Sequence, residues 1–135
     1  MGKMSKATNL ILLGLLLLTI LAAHTILNSE YLFGWLVHRW YRPLFFVFAP
    51  FFILVITRKR NLATLWALGS ICGLFLGNYL GEFIRQRNIA KITADMGAEQ
   101  IHRLHHHPGV EIWLGTLMVF VIIGVALTYR TRKRS

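Results

Sequence analysis

Asp95, Glu99, His102 and His106 stand at i, i+4, i+7 and i+11. On a helix turning 100° per residue these four side chains share one face, with successive members a turn apart. Glu-x-x-His and His-x-x-x-His are spacings that let neighbouring turns converge on one divalent cation. Imidazole with carboxylate suits Zn, Fe, Mn, Co or Ni rather than Cu(I) or a thiolate centre. His105 is a further candidate ligand, and His24 and Glu111 could approach the cluster from below. The plainer reading is a solvated polar face whose imidazoles titrate at about pH 6.5. No His-Glu-x-x-His motif accompanies the cluster, so a metalloprotease centre is not read from it.

The elements that must carry these residues are set by composition. The chain has 135 residues, 15 Lys+Arg against 5 Asp+Glu, a net charge of +10, and is 56% hydrophobic. Mean hydropathy is +0.56 and the pI about 10.7. A soluble basic domain spreads its charge among amphipathic patterns, whereas here the apolar residues come in long runs almost without charge. That excludes a disordered basic tail and makes nucleic-acid binding the wrong reading of the charge. The pattern is that of a small all-α integral membrane protein, one domain over residues 1–135.

Four apolar stretches are read as spans, at about residues 10–27, 41–57, 62–84 and 110–129. A span needs roughly 20 residues at 1.5 Å each to cross a core of about 30 Å. The second stretch is marginal, and a re-entrant or tilted segment is its alternative. The Lys3/Lys6 start resembles a signal peptide, but Leu21-Ala22-Ala23-His24 is a poor cleavage site, so the segment is read as an uncleaved first span. Lys3, Lys6, Arg58, Lys59, Arg60, Arg130, Arg132, Lys133 and Arg134 flank one side with no acid among them. The positive-inside rule puts both termini and the short Arg58–Asn61 turn in the cytoplasm of a plasma-membrane protein, facing anionic lipid. Every acid and all six histidines fall on the other side or at its boundary.

Two interfacial segments are expected on that outer side, at about 31–42 and 85–107. The first is rich in Trp and Tyr, which favour the headgroup level, and Arg39 and Arg42 can reach phosphates from it. The second, treated as one helix, separates into an apolar half and a polar half, the pattern of an amphipathic helix. If straight it would run about 34 Å, so it must lie along the interface or bend near Gly97.

Span three carries Gly69, Gly73, Gly77 and Gly81, one bare stripe along which another backbone can approach. The partner is span one or span four of the same chain, or a second copy in a homo-oligomer. Asn78, Glu82 and Arg85 follow one another up its outer end, where an ion pair between Glu82 and Arg85 or Gln86 is expected. The single Cys72 lies inside this span and is read as a buried structural thiol.

No Gly-rich phosphate loop, nucleophile elbow or pair of intramembrane carboxylates occurs, so no enzyme activity is read from the chain. Small size, the glycine stripe and the incomplete catalytic set point to an accessory or regulatory subunit of a larger transport or enzyme complex. An oligomeric cation or transition-metal transporter or channel using the outer Glu/His cluster is the alternative. It is opposed by the near absence of polar residues at mid-depth of the spans. The third reading is a membrane enzyme acting on a lipid at the outer interface, with His and Glu as acid and base.

Overall fold

The computed structural model describes residues 5–133, which are helical with no strand among them. Lys3 and Arg134, two of the bases that set the expected orientation, lie outside the described residues. The helices are α1 (Lys6–Thr25), α2 (Tyr31–Val37), α3 (Tyr41–Ile56), α4 (Arg60–Ile89), α5 (Ala98–Leu104) and α6 (Gly109–Lys133). Helices α1, α4 and α6 are each long and apolar enough to cross a membrane. A fourth candidate is the pair α2 and α3, bent by 95° to each other, which meets the same length and composition only if counted as one broken span.

Helix α4 is the hub. Ser5 caps α1 by accepting a hydrogen bond from the Thr8 N–H at 3.1 Å. Asn9, Leu12, Leu16, Ile20 and Ala23, three or four residues apart, then form the buried stripe of α1. Its other faces expose Leu10, Leu17, Leu18 and Leu21. One polar contact ties this helix to α4, the Thr64 hydroxyl donating to Asn9 Oδ1 at 2.7 Å with both residues buried. Exposed Leu, Ile and Phe cover α3 and α6 as well. A water-soluble monomer rarely leaves apolar surface so continuous, and the chain is consistent with a membrane protein.

Helix α3 begins α-helical at Tyr41–Pro43 and passes into a π-helical segment, Leu44–Phe48, between Pro43 and Pro50. The Trp66 indole N–H donates to the Val47 carbonyl at 3.0 Å, pinning this segment to α4. The elbow between α2 and α3 is clamped by Arg42, whose guanidinium donates to the Trp35 carbonyl at 2.6 Å and lies 4.5 Å over the Trp35 ring. At its far end α3 closes in a Schellman turn, Lys59 N–H to Leu54 O and Arg58 N–H to Val55 O. Arg58 takes the left-handed position at φ 60°, where glycine is usual.

Helix α6 runs antiparallel to α4 and packs on its glycine stripe. A Cβ added at Gly69 would lie 2.8 Å from Phe120 Cβ, and one at Gly73 would lie 2.8 Å from Trp113 Cδ1. At Gly77 it would fall on the Gly109 carbonyl oxygen, and at Gly81 2.6 Å from His107 Cε1. In return, Gly124 of α6 receives Leu62 of α4, whose Cδ1 would meet a Cβ there at 2.7 Å. Each contact brings a large side chain or a backbone carbonyl onto a bare Cα, so the two helices approach closely along this face. Cys72 points away from this seam and is exposed, contrary to the buried thiol expected. The glycines flanking it on the helix occupy the packed face.

The outer segment departs from a continuous helix over 85–107. Helix α4 ends at Ile89, Ala90–Gly97 is turn and loop, and α5 has only seven residues. The loop is held by local polar bonds. Thr93 donates to the Asp95 carboxylate, which holds that carboxyl below its usual range, and the Gly97 N–H donates to Gln100 Oε1 at 3.2 Å. Short polar side chains offer the backbone an alternative to the helix, and here that alternative wins.

Candidate functional site

The loop separates the residues that one helical face was expected to gather. Asp95 sits in the loop, outside the short helix that carries Glu99 and His102. Glu99 is bonded to Arg103 at 2.6 Å in an exposed pair, and His102 is exposed on the same short helix. His106 turns to Glu111 at the start of α6, Nε2 to Oε1 at 2.7 Å. His24 stays exposed on α1, its carbonyl accepting from Asn28 Nδ2. Among the described residues no group of three or more His, Cys, Asp or Glu is placed to hold a metal ion.

A different set converges. The end of α4, the start of α2 and the turn before α6 enclose an open cleft of about 660 Å³. It is lined by Ser29, Glu30, Tyr31, Glu82, Arg85, His105, His106 and His107. Its α4 wall is the expected ion pair: Glu82 accepts from Arg85 Nη1 at 3.2 Å and from Gln86 Nε2 at 3.1 Å. Arg85 also donates from Nε to the His105 carbonyl at 3.2 Å, tying the histidine turn to α4.

Asn78 supports the second wall from behind. Buried on α4, it accepts the Leu32 N–H at 3.0 Å through Oδ1 and donates to Glu30 Oε2 at 3.0 Å through Nδ2. Leu32 N–H is one of the amides that the first turn of α2 leaves without an intrahelical partner, and Glu30, at the N-cap, makes no cap bond of its own. A residue 46 positions downstream therefore caps α2 and orients Glu30 into the cleft.

His107 closes the floor and is buried at 5% exposure. Its ring stacks on Tyr31 with centroids 4.0 Å apart, and its other side rests on Gly81. Pro108 disfavours helix at His107, so the chain turns there, and the Gly109 N–H donates back to His107 Nδ1 at 3.0 Å. That bond leaves Nδ1 without a proton, so in the neutral ring Nε2 carries it. Nε2 is thus a donor and not a metal ligand. It lies 3.5 Å from Glu82 Oε2, within ion-pair reach, yet it makes no hydrogen bond of acceptable geometry. Burial lowers the His107 pKa below the usual 6.5; Glu82 opposes that shift and Arg85 adds to it. The contact is therefore a neutral imidazole beside a carboxylate rather than a salt bridge.

This arrangement predicts a pH dependence. Because the folded-state pKa is depressed, the stabilisation is complete above the unfolded value of 6.5 and is lost as pH falls through the folded value. Thermal unfolding in detergent should therefore show a lower midpoint at pH 5 than at pH 7.5. His107→Asn, which keeps an acceptor for the Gly109 N–H but does not titrate, should lower the midpoint at both pH values and flatten the difference. An equal pH slope in the variant would assign the effect to other groups.

Helical spacing passed over His107, Tyr31, Glu30 and Ser29. His107 falls outside the stripe because it lies about 120° around the helix from Asp95. The signal available for it was the His-Pro-Gly sequence, in which the chain must turn directly before α6. Comparison with protein families, with characterised proteins and with solved structures finds no match to this chain.

Proposed function

We propose that the chain is a four-span plasma-membrane protein with both termini in the cytoplasm, and that it acts as an accessory or regulatory subunit of a larger membrane complex. Its working face is the outer cleft formed by Glu30, Tyr31, Glu82, Arg85 and His105–His107. The observation that carries this reading is the distribution of polar groups. Carboxylates, a guanidinium and three histidines meet at one end of the bundle. Between Asn78 and the Asn9–Thr64 pair the described interior offers only one buried polar side chain, Ser70. A bundle without a polar route across it does not support permeation. A cleft without a nucleophile paired to a base does not support covalent catalysis. A polar, open surface on a rigid support suits contact with another protein.

The cation distribution supports the sidedness. Arg58–Arg60 and Arg130–Lys133 meet at one end because α4 and α6 are antiparallel, and Lys6 joins them through the Asn9–Thr64 contact. The cleft is at the opposite end.

Photo-crosslinking side chains placed at Ser29 and His105 in intact cells should each give one discrete adduct of the same partner. The same probes at Leu18 and Ile122, on outward apolar faces, should give none. No adduct from the cleft, or an identical set from Leu18, would overturn the subunit reading.

A further inference from the structure

The cleft holds a charge that the chain itself does not answer. Of the five acids in the sequence, Glu30 and Glu82 are the two that are half-buried. Glu82 is met by Arg85 and Gln86. Glu30 receives one hydrogen bond, from Asn78 Nδ2 at 3.0 Å, and no cation among the described residues lies within ion-pair reach of it. Asn78 thus fixes the direction of this carboxylate without neutralising it. Arg85 is committed elsewhere, through Nη1 to Glu82 and through Nε to the His105 carbonyl. A carboxylate drawn partly out of water favours a counter-charge.

The next residue supplies a surface for one. Tyr31 stacks its ring on His107 and is still 46% exposed. The cation–π contacts of the described residues lie elsewhere, at Trp35 and Phe83. Glu30 and Tyr31 are neighbours at the entry to α2, and both line the cleft. On its floor, His107 Nε2 also lacks a hydrogen-bond partner.

These features select an occupant by charge and shape. A soluble anion is repelled by Glu30. A metal ion needs several ligands together, and no group of three or more His, Cys, Asp or Glu is so placed among the described residues. A neutral peptide face covers the ring and leaves the carboxylate unanswered. A guanidinium or ammonium pairs with a carboxylate while lying over an aromatic face, and the planar fork of arginine does both best.

We propose that the cleft receives a basic side chain, arginine or lysine, of a partner protein, its cation paired with Glu30 and resting on the exposed ring of Tyr31. This names the chemistry of the contact and rests on the subunit reading given above.

The test uses the full chain in intact cells, with a photo-crosslinking side chain at His105, on the wall formed by the turn before α6. Glu30→Gln keeps an acceptor for Asn78 and removes only the charge, and the yield of the partner adduct should fall about tenfold or more. Asp95→Asn removes the same charge outside the cleft and should change the yield less than about twofold. Tyr31→Phe, which keeps the ring, should hold the parent yield, and Tyr31→Leu should lower it about threefold. Hydrogen exchange over Tyr31–Val37 checks that each variant keeps α2 in place. Sequencing of the adduct should find an arginine or lysine beside the attachment point. Reversing that residue to Glu should abolish the adduct in the parent chain and restore it in Glu30→Arg. Unchanged yield in Glu30→Gln, equal loss in Asp95→Asn, or no restoration in the reversed pair overturns the charge contact and leaves the subunit reading standing. Parent yield in Tyr31→Leu removes the ring from the contact. An adduct made of lipid, or of a second copy of this chain, assigns the cleft to that occupant and overturns the inference. Absence of any adduct in the parent chain overturns the subunit reading itself, and this inference with it.

Discussion

Gly77→Leu is expected to abolish the native packing of α6 on α4. A Cβ at this position would fall on the Gly109 carbonyl oxygen and lie 2.8 Å from Leu32 Cδ2. The first obstacle is backbone and cannot rotate aside. Making room would push Gly109 outward and with it His107, which is bonded to the Gly109 N–H. Overpacking of a tight core costs about 1–3 kcal/mol and here reaches the upper end or exceeds it. Glycines elsewhere provide the comparison. A Cβ at Gly14 or Gly115 would have no atom within 4 Å. Alanine there should be neutral or stabilising by about 0.5–1 kcal/mol through helix propensity. Unfolding in SDS followed by circular dichroism reads all three variants. Similar midpoints for Gly77→Leu and Gly115→Ala would show that the seam is not tight at Gly77.

The second large effect belongs to Asn78. Asn78→Leu leaves the Leu32 N–H without its acceptor and Glu30 without its donor, in a part of the molecule where Leu32 is fully buried. Each buried polar group left unpaired costs about 1–3 kcal/mol. The loss should appear as detachment of α2, with faster hydrogen exchange over Tyr31–Val37 than over α4. Asn78→Asp is the sharper probe, since it keeps the acceptor for Leu32 N–H but sets a carboxylate against Glu30. Combining it with Glu30→Gln restores a donor opposite the acid and should recover most of the protection. If the double variant is no better than Asn78→Asp alone, the Asn78–Glu30 bond does not orient the cleft wall.

The elements that lie in register with a single period were legible in the sequence. Spans one, three and four are marked by uninterrupted apolar runs, and α1, α4 and α6 follow those runs to within a few residues. The glycine repeat announced a close approach but not its partner, because a bare stripe has no side chain to specify what covers it. Residues on α6, such as Trp113 and Phe120, make that choice. The second stretch was marginal in the sequence for the reason seen in the fold. It carries a 95° elbow before Tyr41 and a π-helical segment between two prolines, neither of which has a periodic signature. The single helical face expected for Asp95 to His106 is interrupted by the Ala90–Gly97 loop. A helical wheel drawn through Asp95 and His106 assumes unbroken hydrogen bonding, whereas Thr93 bonds Asp95 in the loop and Gln100 caps a new helix at Gly97. The cleft itself depends on contacts such as Asn78 to Leu32, 46 residues apart, which no window of sequence contains.

That long reach has a consequence for how the protein is made. Asn9 waits for Thr64, 55 residues later, and Leu32 waits for Asn78. The first half of the chain thus leaves the ribosome before its template exists. Until α4 emerges, the buried faces of α1 and α2 lack their final partners, which come from a helix made later. Translation halted before Asn78 would leave a nascent chain whose aromatic outer segment has no anchor. The last helix faces no such delay, because α4, with its glycines already presented, is made before α6.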